Sequence, residues 1–272
     1  TFLTQLTTCI RQVILQTTVP KEDVIGIGVA MHGVVDIETG TSLVAPNLRL
    51  RNIPIKSTLE DEFGLDVKVE NDARVMALGE AWFGEHEQVG SMLAVNIGRG
   101  VGAGILVDGK LFHGAENIAG EIGHMTIDIH GDICECGNRG CLQTFATGSA
   151  IAKRANEEMR NRTEYLPFTA EKVYELACAG DELSKKVLAD TGNFIGIGLT
   201  NLIHMLNPSK IIIGGGVMKS EQFIHPAILT AIERHALTPG AKRTDVEVSK
   251  LGEDATILGA IALILVTIFD PL

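Results

Sequence analysis

The chain has 272 residues, 45% of them apolar, and its 23 Lys plus Arg against 34 Asp plus Glu give a formal net charge of −11. At roughly 150 residues per domain this is about two domains, and an acidic balance without a basic run excludes a free-standing nucleic-acid-gripping module in this stretch. With aromatics at 4% and a single Trp, there is no base-stacking platform for single-stranded nucleic acid either.

The longest apolar run, Ala260 to Phe269, falls short of the ~20 residues that a membrane-spanning helix needs. Thr1 to Thr18 lacks the charged start and apolar block of a signal peptide. Five cysteines, an odd number with three of them inside eight residues, argue for reduced thiols in a cytoplasmic setting rather than a disulfide scaffold. Cys9 and Cys178, outside that cluster, are expected to be structural thiols.

In chain order, Leu3, Leu6, Ile10, Val13 and Ile14 recur at helical spacing and predict a helix over 1–16. Val24 to Ala30 has strand length and runs into a loop at His32-Gly33. A helix follows over 55–63, then a short strand over 67–70, with Asn71-Asp72 capping a helix to about Phe83. Met92 to Ile97 and Val101 to Val107 predict two strands around a glycine turn, and Asp108-Gly109 turns the chain toward Lys110 to Phe112. Helices are expected at about 147–160, 170–179, 183–206, 221–236 and 254–269, with strands at 211–213 and 246–248. Met31, Met76, Met125, Met205 and Met218 read as core filler. No 20–50-residue repeat interrupts this α/β pattern.

His124 precedes Cys134, Cys136 and Cys141 in the spacing His-x9-Cys-x-Cys-x4-Cys. Four N and S donors within eighteen residues suit a closed tetrahedral zinc site, structural because no ligand position is left open. Gly137 and Gly140 supply the positive φ that a chain wrapping a metal requires. The alternative is three unconnected thiols and an unrelated histidine.

Glu121 and His124, three residues apart, share one side of a helical turn, so Glu121 would be held beside the zinc loop, able to accept from hydroxyls. Asp72, at a strand-to-helix mouth, is either part of a helix cap or a hydroxyl ligand and general base. Gly98-Arg-Gly-Val-Gly-Ala-Gly104 looks like a hairpin whose backbone can approach a phosphate. Gly214-Gly-Gly216 suits nucleotide seating and close helix packing equally.

Together these segments resemble the ROK family (repressors, open reading frames, kinases), sugar-recognising proteins of the actin-like ATPase fold. The resemblance is carried by Glu70-Asn-Asp-Ala73 leading to Ala77-Leu-Gly-Glu80, by Gly120 to Asp128 joined to Cys134 to Cys141, and by Asn207 to Gly216. It implies an α/β fold of two lobes. The first spans 1–73, lacks its opening strands and is closed by a helix over 254–272; the second spans 74–253 and holds the zinc loop and a helical layer. It implies zinc on His124, Cys134, Cys136 and Cys141, and sugar hydroxyls at Asn71, Asp72, Glu121 and His124, aided by the loops near Gly33 and Asn47. In the family's kinases the residue matching Asp72 is the base, and Gly98, Arg99, Gly100, Gly214 and Gly215 would then meet ATP and its Mg2+.

Three departures separate this chain from those kinases. No Asp-x-Gly-Gly-Thr phosphate turn precedes Val24, so the phosphate loop is expected upstream of Thr1. Arg99 stands where the kinases place Thr, with Ala103 replacing a glycine. Gln143 replaces a sugar-binding Glu, leaving weaker, uncharged hydrogen bonds. These departures fit the repressor branch, the xylose-repressor and N-acetylglucosamine-repressor type. The expectation is therefore a sugar- or sugar-phosphate-sensing body that forms a homodimer or tetramer and reaches DNA through a domain outside this chain. The rival is an ATP-dependent sugar kinase.

Overall fold

A computed structural model describes residues 1–86, 90–161 and 167–269. Helix α1 (Phe2–Gln16) starts at Thr1, whose side chain accepts from the Thr4 amide. Its apolar stripe of Leu3, Leu6, Ile10 and Ile14 lies on a core formed by strands β1 (Ile27–Met31) and β5 (Val67–Asn71) and helix α2 (Ile55–Phe63). β1 and β5 pair in parallel, Met31 opposite Asn71, so the chain leaves both strands at the same end. Between them lies an antiparallel sheet of three short strands, β2 (Val34–Asp36), β3 (Thr41–Ala45) and β4 (Leu50–Pro54). Sequence periodicity does not reveal this sheet, because strands of three to five residues are broken by Pro46 and by left-handed Arg49 (φ 53°).

β5 feeds directly into helix α3 (Asp72–Phe83). A five-stranded sheet follows in the order β10-β9-β6-β7-β8, comprising β6 (Ser91–Ile97), β7 (Val101–Val107), β8 (Lys110–Leu111), β9 (Lys210–Gly214) and β10 (Asp245–Val248). β6 and β7 form the expected hairpin, while β6, β9 and β10 run parallel. The helices are α4 (Gln143–Ala146), α5 (Gly148–Glu158), α6 (Ala170–Cys178), α7 (Glu182–Leu206), α8 (Glu221–His235), α9 (Pro239–Lys242) and α10 (Asp254–Phe269). The expected helix at 147–160 begins one residue later, because Thr147 caps α5 by accepting from the Ala150 amide. Residues 270–272 of the expected last helix lie outside the described residues.

Leu93, Val95, Ile97, Ile211 and Ile213 pack one face of this sheet against α5 to α8. The other face meets α3 and α10 through Met76, Leu78, Met92, Ile212, Ala255 and Ala262. α3 and α10 approach backbone to backbone: a Cβ on Gly79 would overlap the Ala255 carbonyl, and one on Gly259 the Val75 carbonyl. Of the five methionines expected in the core, Met31, Met76 and Met218 are buried and Met125 packs on its edge, but Met205 is 70% exposed. Met205 comes just before α7 ends at left-handed Asn207, on the side turned to solvent. Cys9 and Cys178 are exposed. Among the described residues no helix is long and apolar enough to cross a membrane.

Candidate functional site

The loop 124–141 is folded by its own backbone. Ile127 donates to the Gly140 carbonyl at 2.8 Å, Cys134 to Asn138 at 2.7 Å and Gly137 to Cys134 at 2.8 Å. Gly137 and Gly140 take φ of 91° and 68°, the left-handed region expected of them. This brings one donor atom each from His124, Cys134, Cys136 and Cys141 within 4.8 Å of one another. Sγ of Cys136 and Cys141 are 3.7 Å apart, as are Cys134 Sγ and His124 Nδ1. A tetrahedron with bonds of about 2.3 Å has edges of about 3.8 Å, so this donor set fits zinc. Burial pushes the Cys141 thiol up to about 12, so a cation binding there must displace its proton and binding weakens in acid. The Asn138 backbone amide, foremost, holds Cys136 at about 7.

The geometry separates the two roles expected of His124. Nδ1 faces the sulfurs, while Nε2 lies 4.0 Å from Glu121 Oε2. Glu121 precedes a single 3-10 turn, Ile122–His124, which puts both side chains on one side.

Beside this loop opens a cavity of about 510 Å³, bordered by all seven residues expected to meet sugar hydroxyls: Gly33, Asn47, Asn71, Asp72, Glu121, His124 and Gln143. Gly98, Arg99 and Gly100 share the same wall, whereas Gly214 and Gly215 do not line it. Asn71 caps α3, its Oδ1 accepting from the Ala73 and Arg74 amides, and its Nδ2 donates to the Gly33 carbonyl at 2.9 Å. It therefore ties the Gly33 loop to the start of the helix and keeps one amide hydrogen for a ligand. Gln143 Nε2 donates to Cys134 Sγ at 3.2 Å, which links the cavity wall to the thiol cluster.

Asp72 Oδ1 accepts from the Ala73 amide at 2.9 Å, and Oδ2 lies 3.8 Å from His32 Nδ1. The Asp72 carboxylate beside it raises the His32 pKa above its ordinary 6.5 against the opposing effect of burial, with smaller help from the Glu121 charge. Sequence reasoning placed His32 in a loop and assigned it nothing. Its only signal is position, at the exit of a strand that runs parallel to the one ending in Asn71.

A second group that spacing does not reveal holds this wall in place. Arg74 is 2% exposed, and its Nη1 donates to Glu70 Oε1 at 3.0 Å. Its Nη2 donates to the Asn117 and Ala119 carbonyls at 2.5 and 3.1 Å. His113 Nε2 meets Glu70 Oε2 at 2.7 Å. Burial pushes the Glu70 carboxyl up, but hydrogen bonds from His113 and the Asn71 amide and the Arg74 charge outweigh it, and the net shift is downward. The strand end, the helix start and the segment leading to Glu121 are thereby one bonded unit.

The glycine run 98–104 serves two purposes. A Cβ on Gly104 would overlap Ala77 Cβ and stand 2.7 Å from the Ala73 carbonyl, and one on Gly102 would stand 3.1 Å from Ala73 Cβ. These two let β7 lie against α3 rather than approach a phosphate. At Gly98 and Gly100 a Cβ would meet nothing nearer than 3.9 and 4.0 Å. Gly214 lies under Met76, whose Cε would stand 2.5 Å from an added Cβ, and Gly215 (φ 92°) is wedged against Asn96 and Ile97.

The chain is 34% identical to the xylose repressor of Caldicellulosiruptor bescii over 89% of its own length and 63% of that protein's, so it spans less than two thirds of that relative. It is 37% identical to a glucokinase of Halalkalibacterium halodurans, over 88% of this chain and 76% of that one. A crystal structure described as a ROK family transcriptional regulator, a homologue of the E. coli MLC protein, superposes with a TM-score of 0.86 at 30% identity. That match covers 97% of this chain and 67% of the other. The fold is thus the α/β, actin-like ATPase fold shared by ROK repressors and ROK sugar kinases. The ROK family model matches residues 2–266, and the chain belongs to the ROK family.

Proposed function

We propose that this chain is the sugar-sensing and self-associating body of a ROK-type transcriptional regulator. The observation that carries this reading is Arg99, a bulky cation on the cavity wall in the turn where the resemblance to the family's kinases calls for Thr. Sugar hydroxyls would meet Asp72, Glu121, His124 Nε2 and the free hydrogen of Asn71, with Gly33, Asn47 and Gln143 completing the wall. Zinc on His124, Cys134, Cys136 and Cys141 would be structural and would hold His124 and Gln143 at that wall. Two lobes, 1–73 with the last helix and 74–253, would close around the sugar. A sugar that prefers the closed arrangement would reset the spacing of two DNA-binding domains, which lie outside this chain, in a cytoplasmic homodimer or tetramer.

A second reading, an ATP-dependent sugar kinase, is favoured by Asp72. It stands at the helix mouth on the cavity wall, and one of the relatives is a glucokinase. In that reading Asp72 is the general base and ATP with Mg2+ borders Gly98 and Gly100. A coupled ADP-release assay on the full-length protein, over hexoses, pentoses and N-acetylhexosamines, separates the two. The regulator reading expects sugar-dependent thermal shifts without turnover. Turnover that disappears in Asp72→Asn would replace it with the kinase.

A further inference from the structure

His32 is the one partly buried histidine, among the described residues, whose ring the fold leaves unmet. His86, His113 and His225 are also partly buried. Each has a ring nitrogen satisfied inside the protein, by Glu80 at 2.9 Å, by Glu70 at 2.7 Å and by the Val246 carbonyl at 3.0 Å. His124 belongs to the thiol cluster. The ring of His32 makes no hydrogen bond among the described residues, and Asp72 Oδ2 stands 3.8 Å from its Nδ1, beyond hydrogen-bond reach. A polar ring withdrawn from bulk solvent costs free energy unless water or a ligand meets it. The partner must come from the cavity that His32 borders, and a ligand hydroxyl can replace a water there without losing hydrogen bonds.

The backbone on either side of this ring is fixed. Met31, before it, is 3% exposed. Gly33, after it, takes φ 88°, and a Cβ there would stand 2.1 Å from the Val44 carbonyl oxygen. The Gly33 carbonyl also accepts from Asn71 Nδ2 at 2.9 Å. Asp72 is held as firmly, at the start of α3 with Oδ1 on the Ala73 amide. Two polar groups from different segments are therefore preset side by side on one wall, which spares a ligand the cost of ordering them. We infer that His32 is a sugar ligand that acts as a pair with Asp72, the two groups taking hydroxyls on adjacent ring carbons and so selecting for their configuration. This rests on the reading of the cavity as a sugar site and adds a residue that determines which sugar it accepts. Inverting one of those two carbons swings its hydroxyl away from its partner and leaves a polar group of the wall unpaired, and such losses discriminate more strongly than a missing methylene does.

Calorimetric titration of the full-length protein with glucose, mannose, galactose, xylose and N-acetylglucosamine finds the sugar that binds, and its monodeoxy analogues then test the pair. In the unsubstituted protein, loss of either of two adjacent hydroxyls should weaken binding at least tenfold, because a hydrogen bond to a charged group contributes roughly a ten- to hundredfold factor. In His32→Ala the parent sugar should weaken by a similar factor, and one of those two analogues should bind as tightly as the parent. In Asp72→Ala the same should hold for the other analogue. The imidazole proton signals of His32 give a readout that needs no variant: they should move on saturation with the parent sugar and stay in place with the analogue that lacks the His32 hydroxyl. Signals that move equally with both, or a parent and analogues that all weaken by one common factor in His32→Ala, overturn the inference and leave the sugar site standing. So does a sugar that binds His32→Ala and the unsubstituted protein alike. Coupling of His32 and Asp72 to hydroxyls that are not adjacent overturns the pairing. Absence of binding by every sugar removes the sugar-site reading along with the inference.

Discussion

The loop 124–141 and the wall around Asp72 border one cavity, yet they are built in opposite ways. The loop draws its four donors from eighteen consecutive residues and folds on hydrogen bonds among Ile127, Cys134, Gly137, Asn138 and Gly140. The wall gathers His32, Glu70 to Arg74 and His113 to Glu121 from three distant segments, joined by one buried ion pair and its carbonyl partners. A locally closed donor set would depend on the cation it holds, whereas a wall assembled over long range depends on a buried charge pair. The two should therefore fail under different treatments.

Metal removal should have the largest effect. Cys134 and Cys141 are buried yet belong to none of the hydrophobic clusters, and a structural zinc supplies several kcal/mol of folding free energy. Stripping zinc with a chelator should lower the melting temperature by roughly 10 °C, at about 2–4 °C per kcal/mol for a domain of this size. Sugar affinity should fall with it, because His124 and Gln143 both contact Cys134 Sγ and both border the cavity. Elemental analysis should find one zinc per chain. A chain that melts unchanged after zinc has left would mean the loop does not rely on the cation.

Arg74→Leu attacks the other region. It leaves Glu70 ionised in the interior and should cost about 3–5 kcal/mol, while Glu70→Gln with Arg74→Leu should cost less than the single change. The pH dependence has a fixed sign. The folded pKa of Glu70 lies below its ordinary 4.5, so its contribution is present above pH 4.5 and is lost as pH falls through the folded value. The gap between wild type and Arg74→Leu in urea unfolding should accordingly narrow below pH 4.5. A gap that widens in acid would assign the burial of Arg74 a different purpose.

The two halves of the glycine run give a smaller and cleaner contrast. Gly104→Ala drives a methyl into Ala77 and should cost about 1–3 kcal/mol, whereas Gly100→Ala should stay within about 0.5 kcal/mol. The reverse order would mean that β7 is not held against α3 at Gly104.

Much of this was legible before any coordinates. The His-and-Cys loop is a matter of residue types at short spacing, and α3, the β6–β7 hairpin and α7 follow from apolar periodicity with Asn71-Asp72 as the cap of α3. What was hidden is long range. No pattern in one chain says that Arg74, in the first turn of a helix, reaches carbonyls more than forty residues away, or that Gly102 and Gly104 face a helix while Gly98 and Gly100 face a cavity. Met205 misled for the same reason: Leu202 and Ile203 just before it are buried, but Met205 shares the exposed side of α7 with Asn201 and His204.

The smallest expected effect bears most directly on what the wall does. His32 titrates above 6.5 chiefly because the Asp72 carboxylate stands 3.8 Å from its ring. The pair's contribution is therefore full below pH 6.5 and is lost as pH rises through the folded value. In Asp72→Asn the imidazole proton signals of His32 should titrate at lower pH than in the unsubstituted chain, and identical titration curves would mean that the pair does not form. While His32 is protonated its charge stands 3.8 Å from Asp72 Oδ2 and competes with a sugar hydroxyl for that oxygen. If Asp72 acts as a base, turnover must climb as His32 loses its proton. If Asp72 only holds a hydroxyl, sugar affinity should shift modestly across the same pH interval with no turnover to follow, and His32→Asn should flatten that shift. A pH-independent affinity in the unsubstituted chain would place the sugar away from Asp72.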